Sequence, residues 1–245
     1  MTLLFYSAGY SPALIHAITL LKHSGIPFTE HSDLTATHLL LPVPSFSGDG
    51  TLIGGGQIEA ILPQLSKDIT IVGGNLEHPA LKGYTKIDLL KNAEYLTQNA
   101  AITAHCAIRY ILNNVPFILQ DCPVLVIGWG RIGKCLGNLL KGMGANVTVA
   151  TRKDADRAMA RALGYNTIST KNLNPTPYKV ILNTAPASIM NQAENALNID
   201  LASTPGIIGP DVIRALRLPG KDAPASSGQC IAQTVLQLLN QGECI

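Results

Sequence analysis

The sequence predicts an α/β protein in which a doubly wound parallel-sheet domain and a smaller N-terminal α/β domain are joined by a long crossing helix. Three observations carry this. Short apolar runs of strand length alternate with amphipathic stretches along nearly the whole chain, as right-handed strand–helix–strand crossovers require. One unbroken apolar run, Val124-Leu-Val-Ile127, leads straight into Gly128, Gly130 and Gly133, and then into Ile132, Leu136, Leu139 and Leu140 at helical intervals. Ahead of it, Ala93 to about Asn113 reads as one helix with an apolar stripe of Leu96, Ala100, Ala104, Ala107, Ile108 and Ile111. The expected boundaries are 1–92 with the terminal segment 226–245 for the small domain, 93–114 for the crossing helix and 115–225 for the larger domain.

Taken in order, Leu3 to Ser7 reads as a strand, and Ser11 precedes Pro12 as the N-cap of a helix that stops near Gly25. Ile26 to Thr29 is a second strand, and His38 to Pro44 a third that its prolines end. Ser45-Phe-Ser-Gly-Asp-Gly50 and Gly54-Gly-Gly56 are either plain turns or a rim of backbone amides facing a ligand. Gln57 to Leu65 is helical, Ile69 to Gly73 a buried strand, and Tyr84 to Asp88 a short extended piece. Beyond the glycines, Val147 to Ala150 is a strand, Asp154 to Leu163 a helix and Tyr165 to Ser169 a strand. Lys179 to Asn183 and Leu197 to Leu201 follow as strands, with a short sixth over Arg214 to Leu218. Gly228 to Leu239 is the terminal helix, expected to pack on the first domain.

The glycine spacing G-x-G-x-x-G, between a strand and a helix, is the fingerprint of a dinucleotide-binding Rossmann domain. Gly128 allows the tight turn, Gly130 lets a pyrophosphate approach the backbone, and Gly133 lets helix and strand pack closely. Free amides at the start of that helix face the negative charge. Trp129, Arg131 and Ile132 belong to the same loop. An NAD site usually ends its second strand in an acid that accepts from the ribose. Here the strand ends Val149-Ala-Thr-Arg-Lys153, with no acid until Asp154. Thr151, Arg152 and Lys153 offer a hydroxyl, a guanidinium fork and a point charge to a 2′-phosphate, which points to NADP. The alternative is that the two cations are solvated and Asp154 accepts from the ribose of NAD, or caps the next helix.

Composition excludes other classes. A formal net charge of +2 with no basic run argues against a nucleic-acid binder. No apolar run reaches membrane-spanning length. The opening residues show no positive n-region or cleavage site and read as a first strand rather than a signal peptide. Cysteines at 106, 122, 135, 230 and 244 are scattered without a C-x-x-C pair, the pattern of reduced thiols in the cytoplasm. No spacing of His, Cys, Asp or Glu points to a metal.

Val124 to Gly133, Ile181 to Pro186, Asp200 to Gly206 and Leu218 to Gly220 together resemble the A-type subunit of dipicolinate synthase. So do Leu40 to Pro44 with Gly48 to Gly50, and Pro224 to Gln229, all in the same order across nearly the whole chain. The resemblance implies a relative of the D-2-hydroxyacid dehydrogenases that oxidises a dihydrodipicolinate-type ring to dipicolinate in spore-forming bacteria. It also implies a flavoprotein-like second subunit as partner, with a homodimer expected. Carried over residue by residue, it places Asn183, Thr184 and Pro186 at the cofactor beside the glycines and Thr151-Arg152. Three polar positions depart from the pattern. His105, in Ile102-Thr-Ala-His-Cys106, stands where the family has a Glu; Thr204 replaces an Arg; and a Lys near Ala225 is missing. The N-terminal domain is also shorter.

Hydride transfer needs the ring held face to face with the nicotinamide and somewhere for a proton to go. His105 is the candidate proton acceptor, against the plain reading of a structural histidine. Asp200 ends the fifth strand, beside the expected nicotinamide ribose, or else caps the following turn. Ser203 and Pro219 are expected to line the nicotinamide. Pro44, Ser45, Gly48, Asn99 and Lys221 are candidates for a small anionic substrate. The rival functions are a D-2-hydroxyacid-type dehydrogenase acting on another acid, and a non-catalytic NAD(P)-binding subunit.

Overall fold

The computed structural model describes residues 3–32 and 34–242. The chain divides into two compact units. One comprises the residues up to Asn99 together with those from Pro219 onward, and the other is Ala100–Leu218.

The first unit begins with β1 (Phe5–Ser7), α1 (Pro12–His23), β2 (His38–Leu40), the single turn α2 (Ile58–Ile61), β3 (Thr70–Gly73), β4 (Thr85–Asp88) and the start of α3 (Ala93–Asn114). Its four strands run parallel in the order β1-β2-β3-β4. Leu39, Leu40, Ile71 and Val72 are fully buried, so the two central strands read as continuous apolar runs. Ser11 caps α1 as expected, its Oγ accepting from Leu14 N at 3.1 Å. Ile26 to Thr29 does not form a full strand. Phe28 bridges Phe5, with Phe5 N donating to Pro27 O at 2.9 Å and Thr29 N to Phe5 O at 2.8 Å; Pro27 has no N–H with which to extend the ladder. Likewise β2 stops once Leu41 N has bonded Val72 O at 2.8 Å, where Pro42 removes the next donor.

The second unit continues α3 and adds β5 (Pro123–Ile127), α4 (Arg131–Gly142), β6 (Asn146–Thr151), α5 (Asp154–Ala162), β7 (Asn166–Ser169), β8 (Val180–Asn183), β9 (Met190–Asn191), β10 (Leu197–Asp200), β11 (Ile207–Ile208) and β12 (Ile213–Arg214). Six of these strands form one parallel sheet in the order β12-β10-β8-β5-β6-β7. Relabelled from β5, that is the 3-2-1-4-5-6 order of a doubly wound nucleotide fold, with its switch point between β5 and β8. Val124 to Ile127 and Val180 to Leu182 are buried on both faces. The short ladder β9–β11 ties the loop after β8 to the loop after β10.

The predicted sixth strand over Arg214 to Leu218 is corrected. Only Ile213 and Arg214 pair with β10, and Leu218 opens a short helix, α6 (Leu218–Asp222), that leads into α7 (Pro224–Asn240). α7 packs on α1 through Gly228, where a Cβ would lie 2.5 Å from Ala13 O and 2.5 Å from the Cβ of His16. This packing returns the chain to the first unit at Pro219, where the sequence reading had 226, and the other division falls inside α3, the segment read as the interdomain helix. Cys244 and the end of the expected terminal segment lie outside the described residues. Burial pushes the Cys230 thiol up to about 11, in keeping with a packing residue. Among the described residues no helix is long and apolar enough to cross a membrane, and none group as a candidate metal site.

Candidate functional site

At the carboxyl ends of β5, β6 and β8 lies a cavity of about 480 Å³. Its wall brings together Gly128, Trp129, Gly130, Thr151, Arg152, Lys153, Thr184 and Pro186. Ligands of open α/β sheets bind in this crevice. The three glycines differ physically. Gly128 has φ +97°, and a Cβ there would sit 2.5 Å from Thr184 Oγ1. At Gly133 a Cβ would run into the carbonyl oxygen of Gly128, so helix and strand touch backbone to backbone. At Gly130 a Cβ would meet nothing within 4 Å. Gly128 and Gly133 are needed by the fold, whereas Gly130 keeps space open. α4 starts at Arg131, so the amides of its first turn lack intrahelical acceptors and carry the positive end of the helix dipole.

Trp129 is buried, with its ring edge-on to Tyr165 at 5.1 Å and packed over Gly137. Its indole N–H has no hydrogen-bond partner. A buried orphan donor costs about 1–3 kcal/mol, and here it belongs to a residue of the cavity wall.

The end of β6 is built from both sides. Arg157, on α5, donates through Nη1 to the carbonyls of Thr151 at 2.7 Å and Arg152 at 3.0 Å, and through Nη2 to Asp154. It thereby fixes the backbone that carries the Thr151 hydroxyl and the exposed side chains of Arg152 and Lys153. Asp154 is not the N-cap that the sequence offered as one alternative. Lys153 occupies that position and Asp154 is the first helical residue. Nor does Asp154 line the cavity; Asp156 does.

Two other expectations are corrected by where the polar atoms go. Asn183 does not line the cavity. It is fully buried, its Nδ2 donating to Ala185 O at 3.0 Å and Asp200 Oδ1 at 2.9 Å, while its Oδ1 accepts from Ala185 N at 3.1 Å. Asp200, expected in catalysis, is also fully buried. Its carboxylate accepts from the N–H groups of Ala202 (3.0 Å), Gly206 (2.7 Å) and Ile207 (3.1 Å). It also pairs with Arg214 at 2.6 Å, and Arg214 Nη2 holds Ala202 O at 3.2 Å. Burial alone would raise the Asp200 pKa; the donors, led by Gly206 N–H and Asn183, outweigh it and hold the group below the ordinary value of 3.8. With its oxygens taken, Asp200 caps the turn after β10, the second of the two roles read from the sequence.

Ser45 is corrected as a substrate ligand for the same reason. It is fully buried, donating to Pro42 O at 2.8 Å and accepting from Gly74 N at 3.0 Å, so it staples the β2 and β3 loops together. Gly48 lies in an exposed turn whose Asp49 accepts from Thr51 N at 3.0 Å. The Ser47 hydroxyl and the Thr51 amide bring Asp49 down to about 2. Pro44 and Asn99 are half-buried, and Asn99, Pro219 and Lys221 belong to the first unit. His105 is exposed on α3 in the second unit, where Ser203 is an exposed loop residue. None of these residues lines the cavity, and neither do Arg131, Ile132 and Gly133, which lie beside it at the start of α4.

The sequence reading missed Ala150, Asp156, Thr170, Ala185, Ala187 and Ile189 in the wall, Arg157 behind the end of β6, and Arg214 as the partner of Asp200. Of these, only Arg157 carried a signal: its i,i+3 spacing from Asp154 is that of a helical ion pair.

The fold is that of the A-type subunit of dipicolinate synthase. The structure of that protein from Bacillus halodurans superimposes with a TM-score of 0.83 at 19% identity, covering 97% of this chain and 97% of the other. The corresponding dipicolinate synthase structure from Bacillus subtilis gives 0.81 at 22% identity, covering 98% and 97%. A transhydrogenase from Sinorhizobium meliloti gives 0.67 at 12% identity, covering 97% and 93%. No protein-family model and no curated protein sequence matches the chain. At these identities the likeness is one of fold.

Proposed function

We propose that the chain is an NADP-dependent oxidoreductase of the dipicolinate synthase kind, oxidising a dihydrodipicolinate-type anionic ring by hydride transfer to the nicotinamide. The observation that carries the reading is the cavity at the β5/β8 switch point, whose wall combines open backbone at Gly128 and Gly130 with Thr151, Arg152 and Lys153. The fold likeness to two dipicolinate synthase structures over nearly the whole chain supports it.

NADP, when bound, supplies the hydride acceptor. What the chain's own residues do follows from their chemistry. The Gly130 backbone and the first-turn amides of α4 receive the pyrophosphate. Arg152 and Lys153 receive the 2′-phosphate, the guanidinium as a fork and the ammonium as a point charge. Thr184 and Pro186 close the wall opposite. Oxidising a dihydro ring to an aromatic one releases one hydride and one proton, and His105 takes the proton. A flavoprotein-like second subunit and self-association as a homodimer belong to the same proposal.

A second reading, a non-catalytic NAD(P)-binding subunit, is favoured by one observation: Asp200 and Ser45 have their polar atoms committed to the fold. Turnover separates the two. Dihydrodipicolinate generated in situ should yield NADPH absorbance with this protein, alone or with its second subunit; its absence under both conditions overturns the dihydrodipicolinate reading. His105→Ala should lower that turnover about a hundredfold, the scale of one general base, with NADPH affinity unchanged. Unaltered turnover makes His105 structural.

A further inference from the structure

The second unit holds the acid that the end of β6 seemed to lack. Asp156 lies on the first turn of α5 and lines the same cavity as Arg152 and Lys153. Its neighbour Asp154 is paired with Arg157. Asp156 is half-buried, and its carboxylate makes one long contact, 3.5 Å from Thr151 Oγ1. Most of its acceptor capacity is therefore open, in a cavity whose other charged wall residues, Arg152 and Lys153, are both cations.

A carboxylate placed there acts in opposite senses on the two dinucleotides. Toward the free ribose hydroxyls of NAD(H) it is a hydrogen-bond acceptor. Toward the 2′-phosphate of NADP(H), which carries nearly two negative charges, it is a like charge opposing Arg152 and Lys153. We propose that Asp156 is a selectivity-determining residue that moderates the preference for NADP and keeps NAD(H) a usable ligand of the same pocket. The proposal rests on the dinucleotide reading of this cavity.

Asp156→Asn keeps the side chain's shape and removes its charge. Binding of NADPH and NADH is measured by energy transfer from Trp129, the chain's single tryptophan, in the parent and in Asp156→Asn and Asp156→Ala. The expected result is a ratio of the two Kd values shifted toward NADPH by about tenfold in both variants, NADPH binding more tightly than in the parent. The ratio is the readout because general damage to the fold weakens both ligands together. A ratio within twofold of the parent's, with or without a lower Tm, overturns the proposal and leaves Asp156 as a partner of the α5 dipole only. If the parent binds neither dinucleotide, the cavity's reading and this proposal fall together.

Discussion

Gly130→Leu is expected to leave the protein folded, with Tm within a few degrees of the parent, and to weaken NADPH binding by at least about a hundredfold. The backbone at Gly130 has φ −77°, which any L-residue adopts, and a Cβ there meets nothing within 4 Å. As the residue capping α4, glycine replaced by leucine costs no more than about 1 kcal/mol. The leucine side chain instead fills the space through which a pyrophosphate reaches the amides of α4. Gly128→Ala makes the contrast. It forces an L-residue to φ +97° and drives a Cβ to 2.5 Å from Thr184 Oγ1, so it should lower stability as well as binding. Calorimetry with fluorescence titration on both variants checks the pair. Equal loss of stability in both would mean that Gly130 is a structural glycine and not a ligand-facing one.

Asp200→Ala is expected to cost about 3 kcal/mol, removing the acceptor for three backbone amides and leaving Arg214 without its partner. For a chain of this length that corresponds to a fall in Tm of about 6–12 °C. The sign with pH follows from the depressed pKa. A carboxyl held below its ordinary value of 3.8 contributes stability that is complete above that value and is lost as pH falls through the lower folded pKa. Asp200→Asn should therefore flatten the acid limb of the stability curve below about pH 4. Thermal melts across that range check it; a variant as stable as the parent at neutral pH would return Asp200 to the groups free for chemistry.

Much of the fold was legible because its signals are local. Val124 to Ile127 is apolar enough to be buried on both faces, and Gly128, Gly130 and Gly133 mark a strand-to-helix turn by spacing alone. α3 showed itself by a long periodic stripe. What stayed hidden depends on partners distant in the chain. Nothing near Asp200 reveals that Gly206, Ile207 and Arg214 converge on it, so its carboxylate read as equally free for chemistry. Ser45 looked like a loop hydroxyl, although Gly74, twenty-nine residues on, claims it. Asp154 and Asp156 are alike in sequence; which of them turns toward the cavity is decided by Arg157 and by the direction of α5. Arg214 and Leu218 looked like one strand because their apolar spacing suits a strand or a short helix equally well.

Everything proposed for this chain depends on the cavity beside Gly128 and Gly130 being an NADP site. Titration of the protein with NADPH and NADH, read by energy transfer from Trp129, decides it. Saturable binding is expected, with NADPH about tenfold tighter than NADH and that difference lost in Arg152→Ala, since one guanidinium–phosphate contact is worth about that much. Equal affinities in the parent would contradict the assignment to NADP, and binding of neither dinucleotide would contradict the site itself.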